Sequence, residues 1–355
     1  MPTHPAGRIR TRLRRFSDRF HGPGAWRAWS GLLLLLLLLA YLVYVVRTAP
    51  PEIELRALLA RLSLGDLATA ALLYGLVLAV AILGWSLIIG TLSACWSVFE
   101  HTRIYTVTAV TRRLPGTFWY MLGRVVLYER LGVPRGLTAL ASGLEFVAMV
   151  LGGALVALLT WPLVLGGQTL NPLLVLLPLL IAALLLNPPL VRSLVRRFGR
   201  SAGAPPVRYR QVLLWIGVFA LTWCIGGVLL FVVTQAVTPL PLSRLPAIVG
   251  VWAVAGIAAT LFFSFLPFGL GATELTLAAL LTPFVPTGEA LFIALVMRVI
   301  LTACELGYGL LGGLLYLPDL LARRGPFAAQ IEQAAHQDAA ESEEVLAPAR
   351  GIPPK

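Results

Sequence analysis

The sequence predicts an all-α, polytopic membrane bundle of about seven to eight spans, with two broken or re-entrant helical elements. Three observations predict it. Of 355 residues, 58% are hydrophobic and only 12% charged, with a mean hydropathy of +0.86, whereas a soluble domain carries about 25% charged residues. Apolar runs long enough to cross a hydrocarbon core of about 30 Å recur along the chain. Two stretches carry a Leu-Pro step followed by glycine, Leu114-Pro115-Gly116 and Leu266-Pro267-Phe268-Gly269. Helix broken at lipid depth survives only where protein or a watery cavity surrounds the freed backbone.

Residues 1–29 hold seven arginines against one acid, Asp18, and end in Trp26 and Trp29. The run 31–46 follows, with eight consecutive leucines and no Ala-x-Ala site after it. It reads as an uncleaved signal anchor behind a basic cytoplasmic segment, its tryptophans in the interfacial belt. Further spans are expected at 67–91, 137–160, 173–191, 212–237, 247–265 and 290–317. Stretches 92–110 and 274–286 are ambiguous. A dozen residues rise only about 18 Å, which fits half-helices or re-entrant segments. The transmembrane domain is thus bounded at 30–317. The polar tail over 318–355, with Glu332, Asp338, Glu341, Glu343 and Glu344, is expected to lack a fold of its own. Gly152-Gly153, Gly226-Gly227 and Gly312-Gly313 are expected at close helix contacts.

The formal charge is +12, and Lys355 is the sole lysine. A Walker-type phosphate loop and lysine imine chemistry are therefore excluded from this sequence. Basic residues sit between apolar runs, which is the positive-inside pattern and not a nucleic-acid footprint. Segments 1–29, 92–136 and 192–211 carry seven, six and six arginines, and are expected in the cytoplasm. Segments 47–66, 161–170 and 238–246 carry three, none and one, and are expected outside. Arg323 and Arg324 favour a cytoplasmic C-terminus. Cys95, Cys224 and Cys304 have no metal-ligand spacing, and His4, His21, His101 and His336 form no ligand set. Neither metal nor cofactor is expected.

Three constellations could carry function. The first is Arg112-Arg113-Leu114-Pro115-Gly116 with Phe118, Trp119, Tyr120 and Arg124 beyond it. Guanidinium groups bind phosphate bidentately and are weakly hydrated, so they suit a lipid phosphate; a positive-inside turn with an aromatic belt accounts for Arg112 and Arg113 equally. The second is Glu145, inside an apolar span. An ionisable group there costs about 2.5–3.5 kcal/mol on insertion scales, and Arg124 is its candidate partner. The third is Glu274, just after Gly269 and Gly271, with Arg298 and Glu305 two turns apart on the last long helix. Backbone N–H groups freed from Gly269 to Ala272, at a helix start, favour an anion. Structural ion pairing, headgroup contact and proton coupling all fit these carboxylates. Broken helices at corresponding places in two halves also permit an inverted repeat and point to a transporter site.

As an ordered set these residues resemble the flippase-like transmembrane domain of the lysylphosphatidylglycerol synthases and its stand-alone bacterial and archaeal relatives. The family's first element, approximately Arg-Tyr-x-Pro-Gly-x-x-Trp, then Arg, Gly and a membrane Glu, is similar to Arg113-Leu114-Pro115-Gly116, Trp119, Arg124, Gly132 and Glu145. Its second, approximately Leu-Pro-x-x-Gly-x-Gly-x-x-Glu with a later Arg, is similar to Leu266-Pro267, Gly269, Gly271, Glu274 and Arg298. The resemblance covers most of residues 30–317. Thr273 stands where the family often has an arginine. Residues after 318 do not resemble the synthases' aminoacyl-transferase domain, so transfer of lysine from tRNA is not expected.

What the resemblance implies is a multi-pass protein of the bacterial inner membrane, not an enzyme, that moves a lipid with a charged headgroup between leaflets. Its partners would be a phospholipid or a polyprenyl-phosphate-linked lipid, and a protein that supplies that lipid. Two other readings stay open. One is a membrane-embedded transferase or accessory subunit acting on lipid-linked sugars, disfavoured by the lack of an Asp-rich loop. The other is a scaffold recruiting partners through its acidic tail.

Overall fold

A computed structural model describes residues 61–93, 96–109, 118–164, 186–198, 207–260 and 272–322, with positions 180 and 184. The basic N-terminal segment, the leucine run, most of 173–191, both Pro-Gly breaks and the tail beyond 322 lie outside the described residues. Every regular element described is helical. In order these are α1 (Leu64–Ser93), α2 (Val98–Ala109), α3 (Phe118–Glu129), α4 (Arg135–Val164), α5 (Pro188–Phe198), α6 (Tyr209–Val237), α7 (Leu245–Ala258), α8 (Ala272–Leu281) and α9 (Thr287–Ala322), with a 3-10 turn at Leu242–Arg244 before α7. Four of them, α1, α4, α6 and the stretch of α9 up to Leu315, are long and apolar enough to cross a membrane. The fold is that of a helical membrane protein.

Around α5, the lengths follow one order twice. A helix of 30 residues, two of 12 and one of 30 form α1 to α4. Helices of 29, 14, 10 and 36 residues form α6 to α9. The expected span 247–265 is described only as the 14-residue α7, followed by a wider π-type turn at 259–260. At 1.5 Å per residue α7 rises about 21 Å, short of the hydrocarbon thickness. Expected span 173–191 overlaps the start of α5, a separate short helix, and α9 runs through Pro318 to Ala322, past the expected boundary at 317.

Local sequence sets the helix ends. Ser63 caps α1: its Oγ accepts from the Asp66 N–H at 3.1 Å, while Asp66 Oδ2 accepts from the Ser63 N–H at 3.0 Å, a reciprocal capping box. At the end of α3, Gly132 takes a φ of 81°. The Val133 N–H donates to Tyr128 O at 3.1 Å and the Gly132 N–H to Glu129 O at 2.9 Å. This left-handed closure needs glycine and turns the chain into α4. The Arg208 N–H at the start of α6 donates to the Gln211 side chain at 2.8 Å.

Helices in lipid gain little from apolar burial, so small residues that admit a close backbone decide their packing. A Cβ at Gly152 would stand 2.6 Å from Ala220 N, and one at Gly227 2.6 Å from Val249 Cα. Gly153 lies against Trp223, Gly226 against Trp252, and Gly312 against Thr106. Gly313 differs: nothing lies within 4 Å of its would-be Cβ, so it marks no helix contact among the described residues. It falls on the other side of α9 from its neighbour, since successive residues turn about 100°.

Helices α1 and α6 run antiparallel, with Gly84 against Phe219 near one end and Arg61 bonded to Val237 O at 2.8 Å at the other. At that second end Glu289, at the start of α9, also accepts from Arg61 and from Thr238. The first end gathers Leu92, Val133, Leu186, Val191, Val207 and Val212 into one apolar cluster. The described start of α1 and the turn after α6 thus meet at one end, and the end of α1, the start of α4, α5 and the start of α6 at the opposite end.

Candidate functional site

In each half of the chain a buried carboxylate pairs with an arginine between the second short helix and the long helix after it. In the first half Arg124, from α3, binds Glu145, from α4. In the second, Glu274, in the first turn of α8, meets Arg298 of α9 at 3.2 Å. Glu145 lies about 15 Å along α4 and Arg298 about 16 Å along α9, so each stands about a third of the way along its long helix. The signs are exchanged: the short helix brings the cation in the first pair and the anion in the second.

The first pair is sealed. The Arg124 side chain is 0% exposed and that of Glu145 4%. Trp85 and Tyr105 each hold a ring 4.2 Å from the guanidinium carbon, and Tyr120 holds one at 5.2 Å. Arg124 Nε donates to Thr108 Oγ1 at 3.4 Å. Nη2 is buried without a hydrogen-bond partner, and desolvated ring faces stabilise such a cation by about 2 kcal/mol. Beside this cage Trp85 Nε1 donates to the Tyr128 hydroxyl at 2.7 Å, and His101 Nδ1 stands 2.6 Å from the same oxygen. Trp85, His101 and Tyr128 are all fully buried. Helices α1, α2, α3 and α4 therefore meet on one polar-aromatic knot.

Sequence reasoning missed His101, Tyr128 and Trp85, although a signal was present. Tyr120, Arg124 and Tyr128 are four apart, and His101, Tyr105 and Thr108 four and three apart. Each set lines one face of its short helix.

The second pair is partly exposed. Glu274 is 6% exposed at its side chain, but Arg298 is 25%. The hydroxyl of Thr302 donates to Arg298 O at 2.7 Å. Glu305 follows two turns beyond Arg298 on the same face and is half-buried. Placed at the first turn of α8, the Glu274 carboxylate also complements the positive end of that helix. Thr273 is half-buried beside it. Arg113, Gly269 and Gly271 lie outside the described residues. The structure brings Arg124 to Glu145 and Glu274 to Arg298, and keeps the two pairs in separate halves.

Among the described residues, no three of His, Cys, Asp and Glu stand together as a metal-binding group. Fold and site together define a polytopic helical membrane protein with two ion pairs inside its bundle. No family model matches the chain, and no curated protein gives a significant match.

Proposed function

We propose that this protein translocates an anionic or polyprenyl-phosphate-linked lipid between leaflets, using Glu274 and Arg298 as its headgroup site. The partial exposure of Arg298 carries the reading. An ionisable group inside a span is expensive and is kept where it serves a path or partner, and this one is a quarter exposed while paired with a buried carboxylate. A phosphate reaching Arg298 replaces Glu274 as its partner, bidentately if both guanidinium edges engage. Glu274 is then left with surplus negative charge, which a proton or a co-transported cation neutralises. Exchange between these two states is a binding and release cycle that needs no ATP. Glu305 stands one step further along the same face as the next polar group a headgroup meets.

The repeated order of long, short, short and long helices supports an inverted repeat, with α2–α3 entering from the arginine-rich cytoplasmic end and α7–α8 from outside. The clustering of Leu92, Val133 and Val207 at one end, from the two arginine-rich segments, supports that orientation and a cytoplasmic exit for α9. Rocking of one half against the other around a fixed site then gives alternating access. The resemblance to flippase-like domains points the same way, with an enzyme that makes the charged lipid as the protein's partner.

The test is leaflet exchange of fluorescent phosphatidylglycerol in proteoliposomes, read by chemical bleaching of the outer leaflet. Protein-dependent bleaching well beyond the outer half supports translocation. Bleaching that stops where empty liposomes stop, with folded protein and a polyprenyl phosphate also tried, sinks it.

A further inference from the structure

The short helix α5 belongs to neither ion pair, and its chemistry is of another kind. Its eleven residues, Pro-Pro-Leu-Val-Arg-Ser-Leu-Val-Arg-Arg-Phe, contain three arginines and no acid. At 1.5 Å per residue it rises about 16 Å, too little to cross a bilayer. Pro188 and Val191 are buried and Leu194 and Val195 half-buried, while Arg192, Arg196 and Arg197 are exposed. The apolar side packs into the cluster with Val133, Leu186, Val207 and Val212. The basic side looks outward.

This helix is fixed to the scaffold. Arg192 Nε donates to Val207 O at 3.1 Å, and Tyr209 donates through its hydroxyl to Asn187 Oδ1 at 3.3 Å. Both bonds tie it to the chain entering α6. Exposed Arg208 and Arg210 stand there, and exposed Arg130 stands just before α4. Among the described residues Arg130, Arg192, Arg196, Arg197, Arg208 and Arg210 form no ion pair, while the nearby exposed acid Glu129 is taken by Arg135 at 2.6 Å. The result is a docked basic ledge, uncompensated among the described residues, level with the ends of α1, α4 and α6. Arginines merely setting topology need no such docking, since positive-inside bias acts through loops of any shape.

We infer that α5 and the flanking arginines form an interfacial platform that holds anionic phospholipid headgroups of the adjoining leaflet. A cluster of basic residues just beyond the ends of membrane-crossing helices is the arrangement that holds anionic headgroups. A bilayer surface is favoured over an acidic protein because the ledge borders three spans that place it at headgroup depth. The platform raises the local concentration of anionic lipid around the bundle, and its action is separate from movement of lipid across it.

The test uses the full chain reconstituted in phosphatidylcholine with trace spin-labelled phosphatidylglycerol or spin-labelled phosphatidylcholine, reading the motionally restricted fraction. Wild type is expected to prefer phosphatidylglycerol by about five-fold at low salt, given the attraction of each basic residue to an anionic surface. The preference should fade in 1 M salt, where the screening length is about 3 Å. Arg192→Gln/Arg196→Gln/Arg197→Gln should abolish most of it, and the matching triple lysine variant should keep it. Equal association of both lipids with wild type overturns the platform, as does a glutamine triple that keeps the preference or a lysine triple that loses it. Because the readout is lipid association and not exchange, its failure leaves the proposed translocation untouched, and the reverse holds.

Discussion

The two ion pairs use the same side chains on matching elements, yet one is enclosed and the other is not. Around Arg124 four helices contribute rings, a hydroxyl and a carboxylate, and no part of the side chain reaches the surface. Around Arg298 the carboxylate is buried while a quarter of the arginine side chain stays exposed. A cation wrapped in aromatic faces cannot take a new anion without dismantling its cage. One whose side chain is a quarter exposed can be reached by a new anion. On the proposed function, Arg124 and Glu145 hold the first half together and Glu274 and Arg298 bind, so the two pairs that the sequence reading left with the same alternatives take different roles.

The largest expected effect breaks the sealed pair. Glu145→Ala leaves a buried arginine uncompensated, at a cost of about 3–5 kcal/mol; scanning fluorimetry in detergent should show little or no folded protein. Next is Tyr128→Phe, which removes the hydroxyl that Trp85 donates to and that His101 meets. A cost of about 1–3 kcal/mol is expected, read as a lowered unfolding midpoint, with exchange per folded molecule retained. Glu274→Gln keeps an acceptor oxygen for Arg298, so its cost in stability should be only about 1 kcal/mol. The smallest effect belongs to Arg61→Ala. Its bond to Glu289 joins side chains 49% and 21% exposed, and a pair of that kind contributes about 0.2–1 kcal/mol. An Arg61→Ala midpoint falling as far as that of Glu145→Ala would erase the distinction between enclosed and open pairs.

Much of this arrangement is visible in the sequence, for a physical reason. Spans in lipid must satisfy their own backbone, so length and hydropathy mark them directly. The expected 67–91, 137–160 and 212–237 differ from α1, α4 and α6 by at most four residues at an end. Short stretches near 98–109 and 272–281 are also legible, because they are apolar yet too few to cross. Both ion partners could be named since a lone charge inside a span demands one. The polar-aromatic faces of α2 and α3 are legible singly, but their meeting with Trp85 in one knot is not, because its members are 27 and 43 residues apart and only helix packing joins them. Nor was the distinction between a caged arginine and an open one. Burial of Arg124 depends on Trp85 and Tyr105, which arrive from α1 and α2, and no local pattern around Arg124 announces them. The docking of α5 was hidden for the same reason: the apolar run 173–191 masks a basic amphipathic helix that starts at its end.

The most direct measurement compares Glu274→Gln and Arg298→Ala with wild type for phosphatidylglycerol exchange in proteoliposomes at equal amounts of folded protein, alongside their unfolding midpoints. We predict exchange at the level of empty liposomes in both variants, with the Glu274→Gln midpoint close to wild type and that of Arg298→Ala lowered, because it takes the arginine from the buried Glu274 carboxylate. Wild-type exchange in either variant would contradict the assignment of the open pair as the site of translocation.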